Sequence, residues 1–196
     1  VTDHSIKKIN VVCNGQTIPV KNFQTYIDLY IGPKTHGKRV YEHHEERWEY
    51  AVALSPSHEF MQVSFVNGIA TSKGGKHVDY ITHQIVRKLC DYIEKKKKIK
   101  VNAASIKEQL ILFLRCDIEN PSFDSQTKDY MNTAVSKFGS SCTVSDKFID
   151  KLAKMGIMST AISLNEVKQT KDAKKTDGKK TKNIRGIPKL IDANFA

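Results

Sequence analysis

The sequence predicts an α+β fold, in which a mixed β-sheet carries one long amphipathic helix and is followed by a C-terminal helical arm. Three observations support this fold class. Residues 110–114 are apolar at every position, as in a strand that is buried on both faces. Apolar residues from Val78 to Tyr92 recur at steps of three and four, which indicates a helix with one buried face. Segments 48–54 and 61–65 alternate at period two, which predicts strands.

The length and composition indicate one main domain. A chain of 196 residues accommodates a domain of about 150 residues with extensions. Its 39% hydrophobic and 27% charged residues are ordinary for a soluble globular protein. No apolar run approaches the roughly 20 residues of a membrane-spanning helix, and the N-terminus lacks the apolar core of a signal peptide. Because residue 1 is Val1 rather than methionine, we expect a longer parent polypeptide.

The cysteine pattern predicts neither disulfides nor a zinc site. The four cysteines lie far apart, with no CxxC pair and no cysteine–histidine cluster at the spacing of zinc ligands. We therefore expect reduced and mostly buried thiols of an intracellular protein. These residues are Cys13, Cys90, Cys116 and Cys142.

The net charge of +11 is concentrated in two stretches. Residues 168–183 hold seven lysines and two aspartates, and Lys95–Lys98 form the densest basic block in the rest of the chain. Two basic patches favour a polyanionic partner, with nucleic acid as the first candidate and an acidic membrane surface as the second. The alternative is that each patch is a solvated surface without a partner.

The N-terminal part of the chain predicts a hairpin and then a short helix. The dipeptide at Asn14 and Gly15 is typical of a two-residue turn, so residues 8–20 are expected to form two short strands. Asn22 is a suitable N-cap for a helix that ends before Gly32. The apolar side of that helix consists of Phe23, Tyr26, Ile27 and Tyr30.

Two strands and a glycine-containing connection precede the long helix. The strands at 48–54 and 61–65 are expected to be half-buried and to pair antiparallel, with their aromatic residues on one core face. Residues 67–77 then connect to the helix. Lys95–Lys98 lie at the C-terminal end of this helix, where cations interact favourably with the helix dipole.

The C-terminal part predicts a strand and then helices. Residues 99–108 connect the long helix to the buried strand at 110–116. Ser145 is expected to cap a further helix, which Gly156 interrupts before a mostly polar helix resumes over residues 157–167. Beyond it, the low-complexity lysine stretch predicts a linker.

The loop at 119–128 is the strongest candidate for a binding site. Asn120 and Pro121 end the strand pattern, because proline removes a backbone donor and keeps its predecessor extended. A polar loop ending in Lys128 therefore leaves the edge of a sheet. Ligand sites lie just beyond strand ends, and a lysine there is a natural phosphate contact. The alternative is a solvated loop with an ordinary surface lysine.

The sequence contains no motif that nominates an independent enzyme. It lacks the GxxxxGK[ST] phosphate loop, the GxGxxG fingerprint, and any paired-carboxylate or Ser/His/Asp arrangement. Residues 43–46 are His-His-Glu-Glu, but adjacent residues of a strand point to opposite faces. We therefore predict no metal site.

Three stretches resemble signature stretches of eukaryotic DNA topoisomerase II. They occur in that family's order and spacing, with the lysine block between the first two, and together with residues 14–23 they cover nearly the whole chain. The resemblance implies a transducer domain of the ribosomal S5 domain 2-like type, which joins a GHKL-type ATP-binding domain to a DNA-cleaving core. The stretches are SFVNGIATSKGGKHVDY at 64–80, IENPSFDSQTK at 118–128 and GIPKLIDAN at 186–194.

The resemblance implies domain boundaries and site residues. The transducer would span 1–167, the lysine-rich linker 168–183, and the start of the metal-binding TOPRIM module 184–196. Lys128 and Gln126 would act in catalysis by contacting the γ-phosphate of ATP in the neighbouring domain, and Gln126, Thr127 and Lys128 would together bind the nucleotide. Two further groups have implied roles. The DNA-contacting group, facing the cavity for the transported duplex, is Lys95, Lys96, Lys97 and Lys98. The strand-to-helix turn is Asn67, Gly74, Gly75 and His77, with glycines for tight turning and His77 satisfying backbone groups.

The resemblance also implies cofactors and partners. ATP would be bound mainly by the absent ATP-binding domain, and Mg²⁺ would serve the full enzyme without ligands from this chain. The partners would be double-stranded DNA, the GHKL and TOPRIM regions of the same polypeptide and a second copy, in the nucleus and without a membrane. The isolated chain would be inactive. One alternative is a basic nucleic-acid-binding module without nucleotide coupling. Another, a mismatch-repair or gyrase-type transducer, is disfavoured by the match at 188–194.

Overall fold

The computed structural model describes residues 11–35 and 38–163, and the α+β fold class is confirmed. Helical residues continue beyond the last named element to residue 163. In chain order the elements are β1 (Val12–Cys13), β2 (Gln16–Thr17), α1 (Phe23–Ile31), β3 (Arg39–His44), β4 (Trp48–Leu54), β5 (Met61–Val66), β6 (Ile69–Ala70), β7 (Gly74–Gly75), α2 (Lys76–Lys97), α3 (Ala103–Lys107), β8 (Leu110–Cys116), β9 (Tyr130–Met131), a 3-10 turn (Val135–Lys137), α4 (Asp146–Leu152) and a π-helical segment (Ala153–Ile157).

The main sheet has the strand order β3-β4-β8-β5-β6, so that β8 is its central strand. β8 pairs antiparallel with β4 and parallel with β5. Leu114 therefore lies opposite Tyr50 on one side and beside Ser64 on the other. Helices cover both faces of β8, and this explains why residues 110–114 are apolar at every position.

Two apolar clusters sandwich the sheet. The larger cluster joins one sheet face to α2, α3 and α4 and includes Trp48 and Leu89. The smaller cluster lies under α1, where Phe23 and Ile27 pack against Phe113. Because α1 also buries the second face of β4, that strand is buried on both faces rather than half-buried as predicted.

The predicted pairing of residues 48–54 with 61–65 is wrong. β8 lies between β4 and β5, so these two strands do not contact each other as neighbours. Their aromatic residues also lie on opposite faces, with Tyr50 in the larger cluster and Phe65 in the smaller one. The chain passes through α2 and returns as the intervening strand, a long-range event that local periodicity does not encode.

The predicted local signals are confirmed where the structure describes them. The β1–β2 hairpin turns at Asn14 and Gly15, both with positive φ. Asn22 caps α1 by accepting a hydrogen bond from the backbone of Thr25. Ser145 caps α4 in the same way, and Gly156 interrupts the following helix with a φ of 103°.

Further predictions concern the segment before β4 and the C-terminal residues. β3 forms within the polar segment 34–46, so His43 and His44 lie in a strand, which is the geometry assumed in the argument against a metal site. The linker at 168–183, the segment 184–196 and residues 164–167 of the last predicted helix lie outside the described residues. Within the described ranges, no helix has the length and apolar character needed to cross a membrane.

The cysteines recorded in the structure are free thiols, as expected. Their burial is only partly as predicted. Cys116 and Cys142 are buried, Cys90 is half-buried and Cys13 is exposed. Burial raises the pKa of Cys142 to about 12, so this thiol is protonated and unreactive at neutral pH.

Candidate functional site

The predicted loop continues into a hairpin over residues 122–132. Two backbone hydrogen bonds of 3.0 and 3.1 Å join its arms, with a β-bridge between them. Residues 125–129 are left as the tip. The paired residues are Ser122 with Asn132, Phe123 with Met131, and Asp124 with Tyr130.

The tip carries the three residues that the resemblance assigns to ATP. Gln126, Thr127 and Lys128 are all exposed. The N–H of Lys128 donates to the carbonyl of Ser125 at 3.1 Å, which closes the turn with Lys128 at a φ of 58°. Lys128 Nζ lies 5.8 Å from the centre of the Phe123 ring. The structure therefore brings these residues together and leaves them open to a partner on the solvent side.

Asp129 fastens the tip to the turn before α2. Its carboxylate accepts hydrogen bonds from the hydroxyls of Thr127, at 2.9 Å, and of Ser72, at 3.1 Å. Its carbonyl accepts from Lys73 N at 3.0 Å, and Lys73 Nζ lies 3.4 Å from the carboxylate. The hydrogen bond from Thr127, then that from Ser72 and the contact with Lys73, lower the pKa of Asp129. The carboxylate therefore stays ionised at neutral pH.

A second attachment is made by backbone alone. β7 pairs in parallel with β9, placing Gly74 beside Tyr130 and Gly75 beside Met131. A Cβ atom on Gly75 would lie 2.3 Å from the carbonyl oxygen of Met131, so only glycine fits. Since α2 begins at the next residue, Lys76, the hairpin is fastened to the N-terminus of that helix.

His77 has a different role from the one expected. Its Nε2 lies 3.1 Å from the hydroxyl of Thr71, which itself contacts the hydroxyl of Ser64. It therefore bonds a side chain on the neighbouring segment, where we expected it to satisfy the backbone at the helix start. Burial lowers the pKa of His77 to about 3, so the imidazole is neutral at physiological pH.

The lysine block lies at the other end of α2. Lys95, Lys96 and Lys97 form its last turn, and Lys98 ends the helix with a φ of 58°. All four side chains are exposed. Lys96 Nζ lies 4.6 Å from the centre of the Tyr92 ring, and its interaction with the Tyr92 hydroxyl raises the pKa of Lys96. Lys95 lies 19 residues after Lys76 in α2, so about 28 Å of helix separates the block from the hairpin, at 1.5 Å per residue.

The last candidate from the sequence is the His-His-Glu-Glu cluster at residues 43–46. His43 and His44 lie in β3, and within 11–35 and 38–163 no group of three or more His, Cys, Asp or Glu side chains could hold a metal ion.

Sequence reasoning missed Asp129 and Ser72. Their contact joins positions 57 residues apart, so no local pattern could reveal it.

Comparison with known proteins gives a consistent result. A family model described as DNA gyrase B matches residues 22–183. DNA topoisomerase 2 of Drosophila melanogaster is 44% identical over 202 residues, which cover 98% of this chain and 14% of that protein. DNA topoisomerase 2-alpha of Sus scrofa is 44% identical over 200 residues, covering 98% and 13%. The chain thus spans about one seventh of these relatives.

Solved structures agree with the sequence comparison. The ATPase region of Saccharomyces cerevisiae topoisomerase II superposes with a TM-score of 0.73 at 39% identity, covering 83% of this chain and 41% of that one. The ATPase and transducer domains of Balamuthia mandrillaris DNA topoisomerase II superpose with a TM-score of 0.75 at 36% identity, covering 84% and 41%.

Proposed function

The chain belongs to the family whose model is described as DNA gyrase B, and because the relatives compared above are eukaryotic DNA topoisomerase 2 proteins, we propose that it is the transducer of an ATP-dependent type II DNA topoisomerase. It would couple ATP binding and hydrolysis in an adjacent GHKL domain to the passage of one DNA duplex through another. The observation that carries the proposal is the exposed hairpin tip with Gln126, Thr127 and Lys128, fastened to the start of α2. The similarity to topoisomerase II structures supports it.

In this proposal the tip completes the ATP site of the adjacent domain. Lysine supplies a compact cation and glutamine a neutral donor, both suited to the γ-phosphate, where negative charge redistributes during phosphoryl transfer. The exposed positions of Gln126 and Lys128 fit such a contact. The ligands of Mg²⁺ would come from other domains of the full protein.

The contact with the γ-phosphate would also act as a switch. It exists while ATP is bound and weakens when the γ-phosphate leaves, so the position of the tip can follow hydrolysis. Because the tip is fastened to the N-terminus of α2, the displacement would pass to the transducer itself.

Lys95–Lys98 would contact the transported duplex. Their exposed ammonium groups suit phosphates and carry no base-specific information. Glu94, which directly precedes the block, has a recorded ion pair with Lys100 at 3.9 Å.

The proposal includes the context of the chain. Residues 1–167 would form the transducer, 168–183 a linker and 184–196 the start of the TOPRIM module. The partners would be double-stranded DNA, the ATP-binding and cleavage regions of the same polypeptide, and a second copy in a homodimer located in the nucleus. The alternative, a basic nucleic-acid-binding module without nucleotide coupling, is favoured only by the exposed lysine block.

The test is Lys128→Ala in the full-length protein. Loss of one preorganised donor is worth about 2–4 kcal/mol of transition-state stabilisation, so ATP turnover should fall roughly 30- to 900-fold. Lys137→Ala is the matched control, because Lys137 is also exposed but lies in the 3-10 turn outside the tip. Normal ATP turnover and strand passage in Lys128→Ala would favour the alternative.

A further inference from the structure

Within the described residues, Asp129 is the residue whose side chain joins the hairpin tip to the turn that leads to α2. It follows Lys128 directly in the chain. One carboxylate oxygen accepts from Thr127, inside the tip, and the other from Ser72, in the turn that leads to α2. The same residue therefore limits the internal shape of the tip and its position relative to the helix.

We propose that Asp129 is a positioning residue, which holds the hairpin tip so that Gln126 and Lys128 are presented to the γ-phosphate in one geometry. The inference rests on the proposed function, because it takes these two residues to be the ones that contact ATP. It assigns Asp129 no contact with nucleotide. Its effect passes through its neighbours.

Comparison with the other acidic residue of the hairpin supports this role. Asp124 is exposed, and its recorded side-chain contact is a 3.2 Å hydrogen bond from Ser125, the adjacent residue. Asp129 is half-buried and bridges two segments. The two carboxylates lie in the same hairpin and carry the same charge, so the variants that remove them can be compared directly.

The hydrogen bonds to the hydroxyls matter more here than the ion pair. Lys73 has a side chain that is 67% exposed, and such exposed pairs contribute little because water and salt screen them. The bonds from Ser72 and Thr127, at 3.1 and 2.9 Å, instead hold the carboxylate at both of its oxygens. The backbone bond from Lys73 N to the Asp129 carbonyl keeps the two segments adjacent even when the carboxylate is removed. Removal should therefore loosen the tip without unfolding the domain.

Holding Gln126 and Lys128 in one geometry should stabilise the transition state of ATP hydrolysis. A tip that samples several positions spends less time where its donors meet the reacting phosphoryl group, and the transition state loses stabilisation accordingly. Substrate binding depends less on the tip, since ATP is held by the adjacent domain in the proposed function. Loosening should therefore lower kcat more than it changes KM.

The first experiment measures the anchor itself, by hydrogen exchange in the full-length protein without nucleotide. Asp129→Ala should speed exchange of the amides of residues 125–130 about tenfold or more, because local opening becomes easier. Asp124→Ala removes the same charge from the same hairpin and should change this exchange by less than about twofold. Unchanged exchange in Asp129→Ala would overturn the inference.

The second experiment measures ATP turnover in the same proteins. We expect kcat to fall about fivefold in Asp129→Ala with KM within about twofold, and Asp124→Ala to retain the parent values. Ser72→Ala should lower kcat in the same direction, and the double variant Ser72→Ala with Asp129→Ala should lose little more, because both remove one connection.

The outcomes separate this inference from the proposed function. If Lys128→Ala impairs turnover but Asp129→Ala speeds exchange without lowering kcat, the anchor does not position the tip and the inference fails alone. If Lys128→Ala leaves turnover intact, the proposed function fails and takes the positioning role with it, while the exchange data still report whether the anchor exists.

Discussion

The side-chain amide of Asn67 forms two hydrogen bonds with the backbone of Ile118. Its Nδ2 donates to the Ile118 carbonyl at 2.9 Å, and its Oδ1 accepts from the Ile118 N–H at 2.8 Å. Asn67 N also donates to the Cys116 carbonyl at 3.0 Å. Asn67 thereby substitutes for a neighbouring strand just where β8 ends. This fixes the point from which the chain leaves the sheet towards the hairpin.

Removal of this amide should destabilise the chain. Asn67→Gly leaves two backbone groups of Ile118 without their partner and should lower the free energy of unfolding by about 2 kcal/mol. Asn67→Ala should cost about 1 kcal/mol more, because Asn67 has a φ of 50°, which glycine tolerates and alanine does not. Urea denaturation of both variants measures the two effects. A loss below about 0.5 kcal/mol in each would show that water replaces the amide without cost.

Gly75→Ala should detach the hairpin from α2. The added Cβ would lie 2.3 Å from Met131 O and 2.7 Å from Met131 N, and φ is 143° at this position. Because the obstacle is backbone, we expect a loss of about 3 kcal/mol or more in thermal denaturation. Gly15→Ala is the control, with a positive φ but open space around the Cβ, and should cost about 1 kcal/mol. Equal losses in the two variants would contradict the close contact.

Stability should decrease in mild acid because of His77. In the folded chain the pKa of His77 is lowered to about 3, whereas an unfolded histidine binds a proton near its ordinary value of 6.5. Below pH 6.5 the unfolded state therefore binds more protons, and stability is lost as the pH falls towards 3. Between pH 7 and pH 5 this loss amounts to about 2 kcal/mol.

The contribution of His77 is isolated by His77→Gln, whose loss of stability between pH 7 and pH 5 should be smaller by that amount. His83→Gln, an exposed histidine on the same helix, should behave like the parent. An NMR titration of the imidazoles checks the cause directly. A His77 that titrates near pH 6.5 in the folded chain would refute the explanation.

Replacement of Lys95–Lys98 by alanine should reduce the salt dependence of duplex DNA binding. Four phosphate contacts contribute about −0.9 each to the slope of log K against log salt, so the slope should become less steep by about 3.6. Lys21, Lys34, Lys38 and Lys137, also exposed, provide a control quadruple variant with the same change in charge. An unchanged slope in the first variant, or equal changes in both, would argue against this DNA contact.

Local sequence signals predicted the elements that depend on neighbours along the chain. The apolar steps of α2 and the turn at Asn14 and Gly15 are short-range features. The cap at Ser145 is another, and all three were confirmed. The apolar run of β8 indicated a strand that is buried on both faces. The grouping of Gln126, Thr127 and Lys128 followed from adjacency in sequence.

The sequence by itself thus determined the family, the fold class, the long helix and the two candidate sites. Only the tertiary structure decided which strands pair, because β8 returns between β4 and β5 after a long crossover and period two cannot specify a partner. It also decided that Asp129 meets Ser72 and that Gly75 touches Met131. Such contacts arise when distant segments pack. Their geometry depends on the whole fold rather than on any local pattern.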